Sequence, residues 1–166
     1  MNRSILSSTI DILRFTYIST FFAFFFGIYW YSIPIASEHI YFFISAPIAT
    51  FFPCYFIWKW KFKTKEDYKI GNVIEVALIL TFITHYLNFV VLGIGRVLCH
   101  FFTGKCTDYT GQTESVLETL TYVSWLRMLI SLYYFGLVTL IIFSVIGISI
   151  IKTSKLLNDN SQTEIN

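Results

Sequence analysis

The chain has 166 residues, of which 55% are hydrophobic, 20% aromatic and only 13% charged, and its mean hydropathy is +0.65. Soluble domains carry about 25% charged residues, so this composition argues against a free globular protein. A net charge of +2 gives no electrostatic basis for direct nucleic-acid binding.

Four stretches contain no Asp, Glu, Lys or Arg: 15–37, 40–58, 76–95 and 128–151. A hydrocarbon core about 30 Å thick needs roughly 20 apolar residues of helix, and each stretch meets that length. The expected fold is therefore an all-α membrane protein, a four-transmembrane-helix bundle with spans at about 15–35, 40–58, 73–95 and 122–151. These spans fill a single domain, 1–155, followed by a polar tail at 156–166. Basic residues orient it. Nine of the twelve lie in the two tails and the 59–75 loop, and positive segments stay cytoplasmic, so the expected topology is N-in/C-in. The first apolar stretch is too long for an ordinary signal-peptide core and no A-x-A-like cleavage site follows it, so it is expected to stay as a helix.

Residues 1–14 read as a short polar tail with a helical extension. Span one is rich in Phe, and Tyr29, Trp30 and Tyr31 suit the outer membrane interface. Pro34 ends or turns that helix, and the short link at Ser37–Glu38–His39 makes spans one and two a tight antiparallel hairpin. Span two carries Pro47 and Pro53, each of which removes a backbone hydrogen bond and invites a kink. Its small residues Ala46, Ala49, Thr50 and Cys54 form a face where another helix can come close. Trp58 and Trp60 are expected at the cytoplasmic interface, followed by the basic run Lys59, Lys61, Lys63 and Lys65 facing anionic headgroups.

Span three holds the most polar stripe. Thr81, Thr84, His85 and Asn88 follow i, i+3, i+4, i+7 spacing, share one helix face and are expected to point into the bundle. Helix three is expected to run past Arg96. Ser115 and Glu118 have capping-box spacing, so helix four is expected to start there and extend well beyond the hydrocarbon core. The outward loop then becomes a helical stub with a polar turn near 103–113, and the residues from Lys155 onward form a polar, disordered tail.

His85 is the deepest ionisable group, and its two readings are a functional intramembrane residue or a neutral imidazole hydrogen-bonded across the bundle. A b-type haem commonly takes two buried histidines on facing helices, whereas His39 and His100 lie outside the spans, so no haem is expected. Three scattered histidines without an H-E-x-x-H motif give no metal site. Cys99 and Cys106 both fall on the outward side, seven positions apart, where an oxidising compartment lets them bridge; two free thiols are the alternative. Arg96 and Arg127 sit near the outer ends of spans three and four. There they pair with Glu114, Glu118 or Asp108, snorkel to lipid phosphates, or meet an incoming partner. No nucleophile elbow, phosphate loop or dinucleotide fingerprint is present, so neither catalytic residues nor a cofactor is expected.

A lone four-span bundle with an N-in/C-in plan and no catalytic motif resembles the small bacterial inner-membrane proteins that guard a cell's resident mobile element. These are proteins that exclude incoming plasmids, phage superinfection-exclusion proteins and immunity proteins against pore-forming colicins. Scarce alanine (five residues) beside abundant Ile, Phe, Tyr, Asn and Lys matches the AT-rich coding of many plasmid and phage genes. The resemblance implies an inner-membrane protein with both termini cytoplasmic. Its partners would be membrane lipid and a membrane-inserted protein, either an incoming DNA-transfer or injection apparatus or a toxin. Arg96, Arg127, Glu114 and Glu118 are the candidate contacts. Two other readings stay open. One is a small channel, holin or transporter subunit using the span-three stripe; the other is a structural subunit of a larger membrane complex.

Overall fold

The computed structural model describes residues 3–31, 42–63, 67–104 and 115–163. All regular structure among these residues is helical: α1 (Arg3–Tyr31), α2 (Phe42–Lys61), α3 (Ile70–Thr103), α4 (Val116–Glu118), a π-helical stretch Thr119–Val123, and α5 (Ser124–Thr163). Three segments are long and apolar enough to cross a membrane: Ser8–Tyr29, Ile70–Thr103 and Val116–Leu157. Helix α2, expected as one of four spans, is not among them. Its 20 residues include two prolines and two lysines as well as tyrosine and tryptophan, which dilute its apolar character.

Neighbouring helices run antiparallel. Phe15 and Tyr17 of α1 meet Trp58 and Phe51 of α2, an inverted order along the two helices. Tyr86 and His85 of α3 meet Trp125 and Ser131 of α5, while Val73 lies against Gly147. The start of α1, the end of α2, the start of α3 and the later part of α5 therefore gather at one end of the bundle.

That end holds the tight core. Trp58 is fully buried, stacks on Phe15 at 4.0 Å between ring centroids, and touches Phe62 at 4.4 Å. Gly147 lets α5 approach: a Cβ built there would lie 2.6 Å from Val73 Cγ1 and 3.2 Å from Trp58 Cζ3. Trp58 is therefore core and not at the interface expected for it, whereas Trp60 is exposed. The reason is register: Thr50, Cys54 and Trp58 lie four residues apart and share the inward face of α2. The small face of α2 is likewise occupied inside the bundle, with Ala49, Thr50 and Cys54 all buried.

The helix ends follow local chemistry. Ser115 Oγ accepts from the Glu118 backbone N–H at 3.2 Å, and Glu118 Oε2 accepts from the Ser115 backbone N–H at 2.9 Å, the reciprocal pair of a capping box. In the π stretch the Leu120 carbonyl accepts the Tyr86 hydroxyl, tying the start of the last helical segment to α3. Helix α3 ends at Gly104, whose φ of 67° is the left-handed conformation glycine adopts without a Cβ penalty. Helix α5 continues to Thr163, so most of the segment expected as a disordered tail is helical. Of the expected loops, the 32–41 link and the 105–114 turn lie outside the described residues.

Candidate functional site

The α3 stripe faces inward as its spacing requires: Thr81, Thr84 and His85 are buried and Asn88 is half-buried. The two threonine hydroxyls donate to carbonyls of their own helix, Thr81 to Ala77 at 2.8 Å and Thr84 to Leu80 at 2.7 Å. That back-bonding satisfies them without a neighbour. His85 and Asn88 instead reach across the bundle.

His85 Nδ1 lies 2.7 Å from Ser131 Oγ, and Nε2 lies 3.0 Å from Thr139 Oγ1, both on α5. Thr139 donates its hydroxyl hydrogen to the Phe135 carbonyl at 2.9 Å, so its oxygen is left to accept. His85 Nε2–H must then be the donor to Thr139, and Nδ1 must accept from the Ser131 hydroxyl. One tautomer, protonated on Nε2, satisfies every bond. On the other side Ser45 Oγ of α2 donates to Asn88 Oδ1 at 2.7 Å. The stripe thus bridges α2, α3 and α5 at the middle of the bundle.

Around it lies a cavity of about 300 Å³, lined by residues from α1, α2, α3 and α5. Several positions lining it are small (Ser19, Ala23, Ala46, Ser131), whereas the tight end is filled by Phe15, Trp58 and Phe62. Thr84, His85 and Asn88 line it, as do both candidate contact arginines. Arg96 is buried and Arg127 half-buried, so neither stands as a fully exposed surface contact.

The other expected site residues separate from these. Glu118 is exposed and is held by Ser115 in the capping box. Glu114 lies outside the described residues. Cys99 is disulfide-bonded and Cys54 is a free, buried thiol, while Cys106 lies outside the described residues. Among the described residues no three His, Cys, Asp or Glu side chains cluster to hold a metal.

One buried polar pair was not anticipated from the sequence. Asp11 of α1 is only 2% exposed, and its Oδ2 accepts the Tyr68 hydroxyl at 3.0 Å. Burial, followed by the adjacent carboxylate and its hydrogen bond, pushes the Tyr68 phenol well above its ordinary value of 10.0. The pair pins the start of α1 to the α2–α3 connection. Spacing marks only one partner: Asp11, Ile12, Phe15, Thr16 and Ser19 form one helical face, and all are buried, but nothing local points to Tyr68.

Comparison with protein-family models, with curated proteins and with solved structures finds no match.

Proposed function

We propose that this chain is a non-catalytic, four-span protein of the bacterial inner membrane, with both termini cytoplasmic. It protects the cell or its resident mobile element by blocking incoming DNA or a pore-forming toxin through contacts within the membrane. The observation that carries a contact role is how the polar stripe is used. His85 and Asn88 hold α3 to α5 and α2 through three side-chain hydrogen bonds, which makes the stripe a scaffold. That use favours binding over an ion-conducting path. With the polar groups turned inward, α1 and α5 present broad apolar faces, including Phe21, Phe25, Leu129, Tyr133 and Leu137. Those faces suit lipid and a membrane-inserted protein partner. Four spans are supported by α2 packing between α1 and α3 and measuring about 30 Å at 1.5 Å per residue, and the N-in/C-in plan by the basic residues.

The test is expression of the gene alone in a naive host, followed by challenge with conjugative plasmids, phages and pore-forming colicins. A fall in recipient efficiency, plating or killing is expected for at least one challenger. Unchanged outcomes across a broad panel would remove the reading. Reporter fusions at each terminus check the topology independently, and an external signal from either one contradicts it.

A further inference from the structure

We propose that the interhelical cavity is a binding site for one small, uncharged aromatic molecule carrying a carbonyl oxygen. The guest's rings lie among the phenylalanines of the lining, and its carbonyl accepts the Thr50 hydroxyl.

Thr50 is unlike the other inward threonines. Thr81, Thr84 and Thr139 each donate to the carbonyl four residues back in their own helix. Thr50 is only 4% exposed, shares the inward face of α2 with Cys54 and Trp58, and lines the cavity. Yet its hydroxyl makes no hydrogen bond to any described residue. A buried hydroxyl without a partner is costly, so a guest able to pair with it gains affinity from a group already out of water.

Asn88 places further donors on the same wall. Its Oδ1 accepts from Ser45, while its Nδ2 group makes no bond to a described residue. Helices α2 and α3 run antiparallel, as the pairs Ser45–Asn88 and Lys61–Glu75 show. Thr50 is five residues beyond Ser45, about 7.5 Å along the axis, so it sits roughly one turn from Asn88.

The rest of the lining sets the class of guest. His85 is bonded to Ser131 and Thr139, and Thr84 to Leu80. Arg96 and Arg127 have interactions of their own, and none of the lining residues is acidic. The unpaired groups on the α2–α3 wall are thus a neutral hydroxyl and a neutral amide, and both donate to a carbonyl oxygen. Around them, Phe26, Phe89, Phe135 and Phe143 come from three different helices. Such rings receive a flat aromatic guest in offset or edge-on contact. A volume of about 300 Å³ is at the small end of ligand pockets and suits roughly two or three fused rings. The open side lies at α1 and α5, where Phe22, Ile130 and Val138 are about half-exposed.

The experiment is photolabelling of the full-length protein, purified in a mild detergent, with benzophenone, a neutral diaryl ketone that bonds to nearby C–H groups under ultraviolet light. Peptide mapping should find saturable adducts on the lining residues. Fluorenone and fluorene, flat tricycles that differ by one carbonyl, then compete with the label. The ratio of their potencies in the native chain, divided by the same ratio in Thr50→Val, cancels their unequal partition into detergent. One neutral hydrogen bond is worth about fivefold in affinity, so a quotient of about five is expected. Thr50→Val keeps the shape and breaks no hydrogen bond, so it should fold as the native chain does. Ala23→Phe, which fills the cavity, should abolish the saturable adducts; if it does not fold, Thr50→Val decides alone. A quotient near one, which would make the hollow a place for any apolar chain, overturns the proposal. Unsaturable adducts on the outward faces alone overturn it as well. The readout is ligand binding by the isolated protein, so it stands or falls independently of protection in cells.

Discussion

Gly147 gives the sharpest test of how the tight end of the bundle is built. Substituting alanine places a methyl 2.6 Å from Val73 Cγ1 and 3.2 Å and 3.4 Å from two carbons of the Trp58 ring. Non-bonded carbons settle at about 3.5–4.0 Å, so the methyl overlaps Val73 by about 1 Å. Val73 is β-branched and stiff, and Trp58 is already stacked on Phe15, so the strain moves the helices apart. Overpacking of this kind costs about 1–3 kcal/mol. Alanine returns up to about 1 kcal/mol of helix propensity, and burying the methyl returns little because lipid is equally apolar. The net expectation is a loss of about 0–2 kcal/mol against the native chain and about 1–3 kcal/mol against an alanine that gains the propensity without the clash. Gly95→Ala is the control, since a Cβ there meets nothing within 4 Å; that variant should be as stable as the native chain or slightly more so. Unfolding by rising SDS in mixed micelles, followed by tryptophan fluorescence, compares the two. Adding Val73→Ala to Gly147→Ala should recover part of the loss as a measurable coupling. If Gly147→Ala is no less stable than Gly95→Ala, α5 does not approach Trp58 and Val73 as closely as described.

Tyr68→Phe removes a donor from the buried Asp11 carboxylate and should cost about 1.5–3 kcal/mol near neutral pH. Because folding holds the Tyr68 proton more tightly than the unfolded chain does, its stabilisation is complete below pH 10.0 and falls as pH rises beyond it. Melting curves at pH 9 and 11 should therefore show a steeper alkaline loss for the native protein than for Tyr68→Phe; parallel losses would refute the coupling. Ser131→Ala leaves His85 Nδ1 without its donor and should lower stability by about 0.6 kcal/mol, the usual size of an interhelical bond in membranes. A purified protein that leaks ions in liposomes, and stops leaking on Asn88→Leu, would contradict the scaffold role of the stripe. Thiol counting tests a Cys99–Cys106 bridge: one maleimide should add to the unfolded, unreduced chain, at Cys54, and three after reduction. Three labels without reduction would show that no such bridge forms.

Periodicity read the stripe correctly because polar groups in an apolar helix have one favourable direction, towards other polar groups. Thr81, Thr84, His85 and Asn88 could point only inward. Apolar faces carry no such signal. Lipid tails and protein interiors are alike in polarity, so nothing in their hydrophobicity says that Phe15 is core while Phe21 and Phe25 are exposed. Trp58 and Trp60 show the same ambiguity: both suit an interface, and only the register shared with Thr50 and Cys54 turns Trp58 inward. The capping box was legible because Ser115 and Glu118 act locally, with geometry fixed by spacing alone. The Asp11–Tyr68 pair was not, since its partners are 57 positions apart and meet only once α1, α2 and α3 are packed.

The hollow and the tight core belong to one energetic problem. Enclosed and empty, a cavity of about 300 Å³ would cost about 7 kcal/mol at roughly 24 cal/mol per Å³; this one opens at its exposed α1 and α5 lining residues, so that figure is a ceiling. Whole domains are stable by only about 5–15 kcal/mol. The three hydrogen bonds that span the bundle at this level supply about 2 kcal/mol together at membrane values. They cannot hold such a hollow open unaided. Collapse is resisted from below by Phe15, Trp58 and Phe143, whose bulk sets the helix spacing, and beside the hollow by the Phe26–Phe135 contact. In a bilayer, acyl chains reaching through the open side would remove part of that cost. The small residues Ser19, Ala23 and Ala46 leave the space that a larger side chain at the same positions would fill. On this argument Ala23→Leu should stabilise a delipidated preparation by filling the void, yet do little or harm in lipid-rich bicelles. Equal stabilisation in both media would mean that the hollow is an ordinary packing defect.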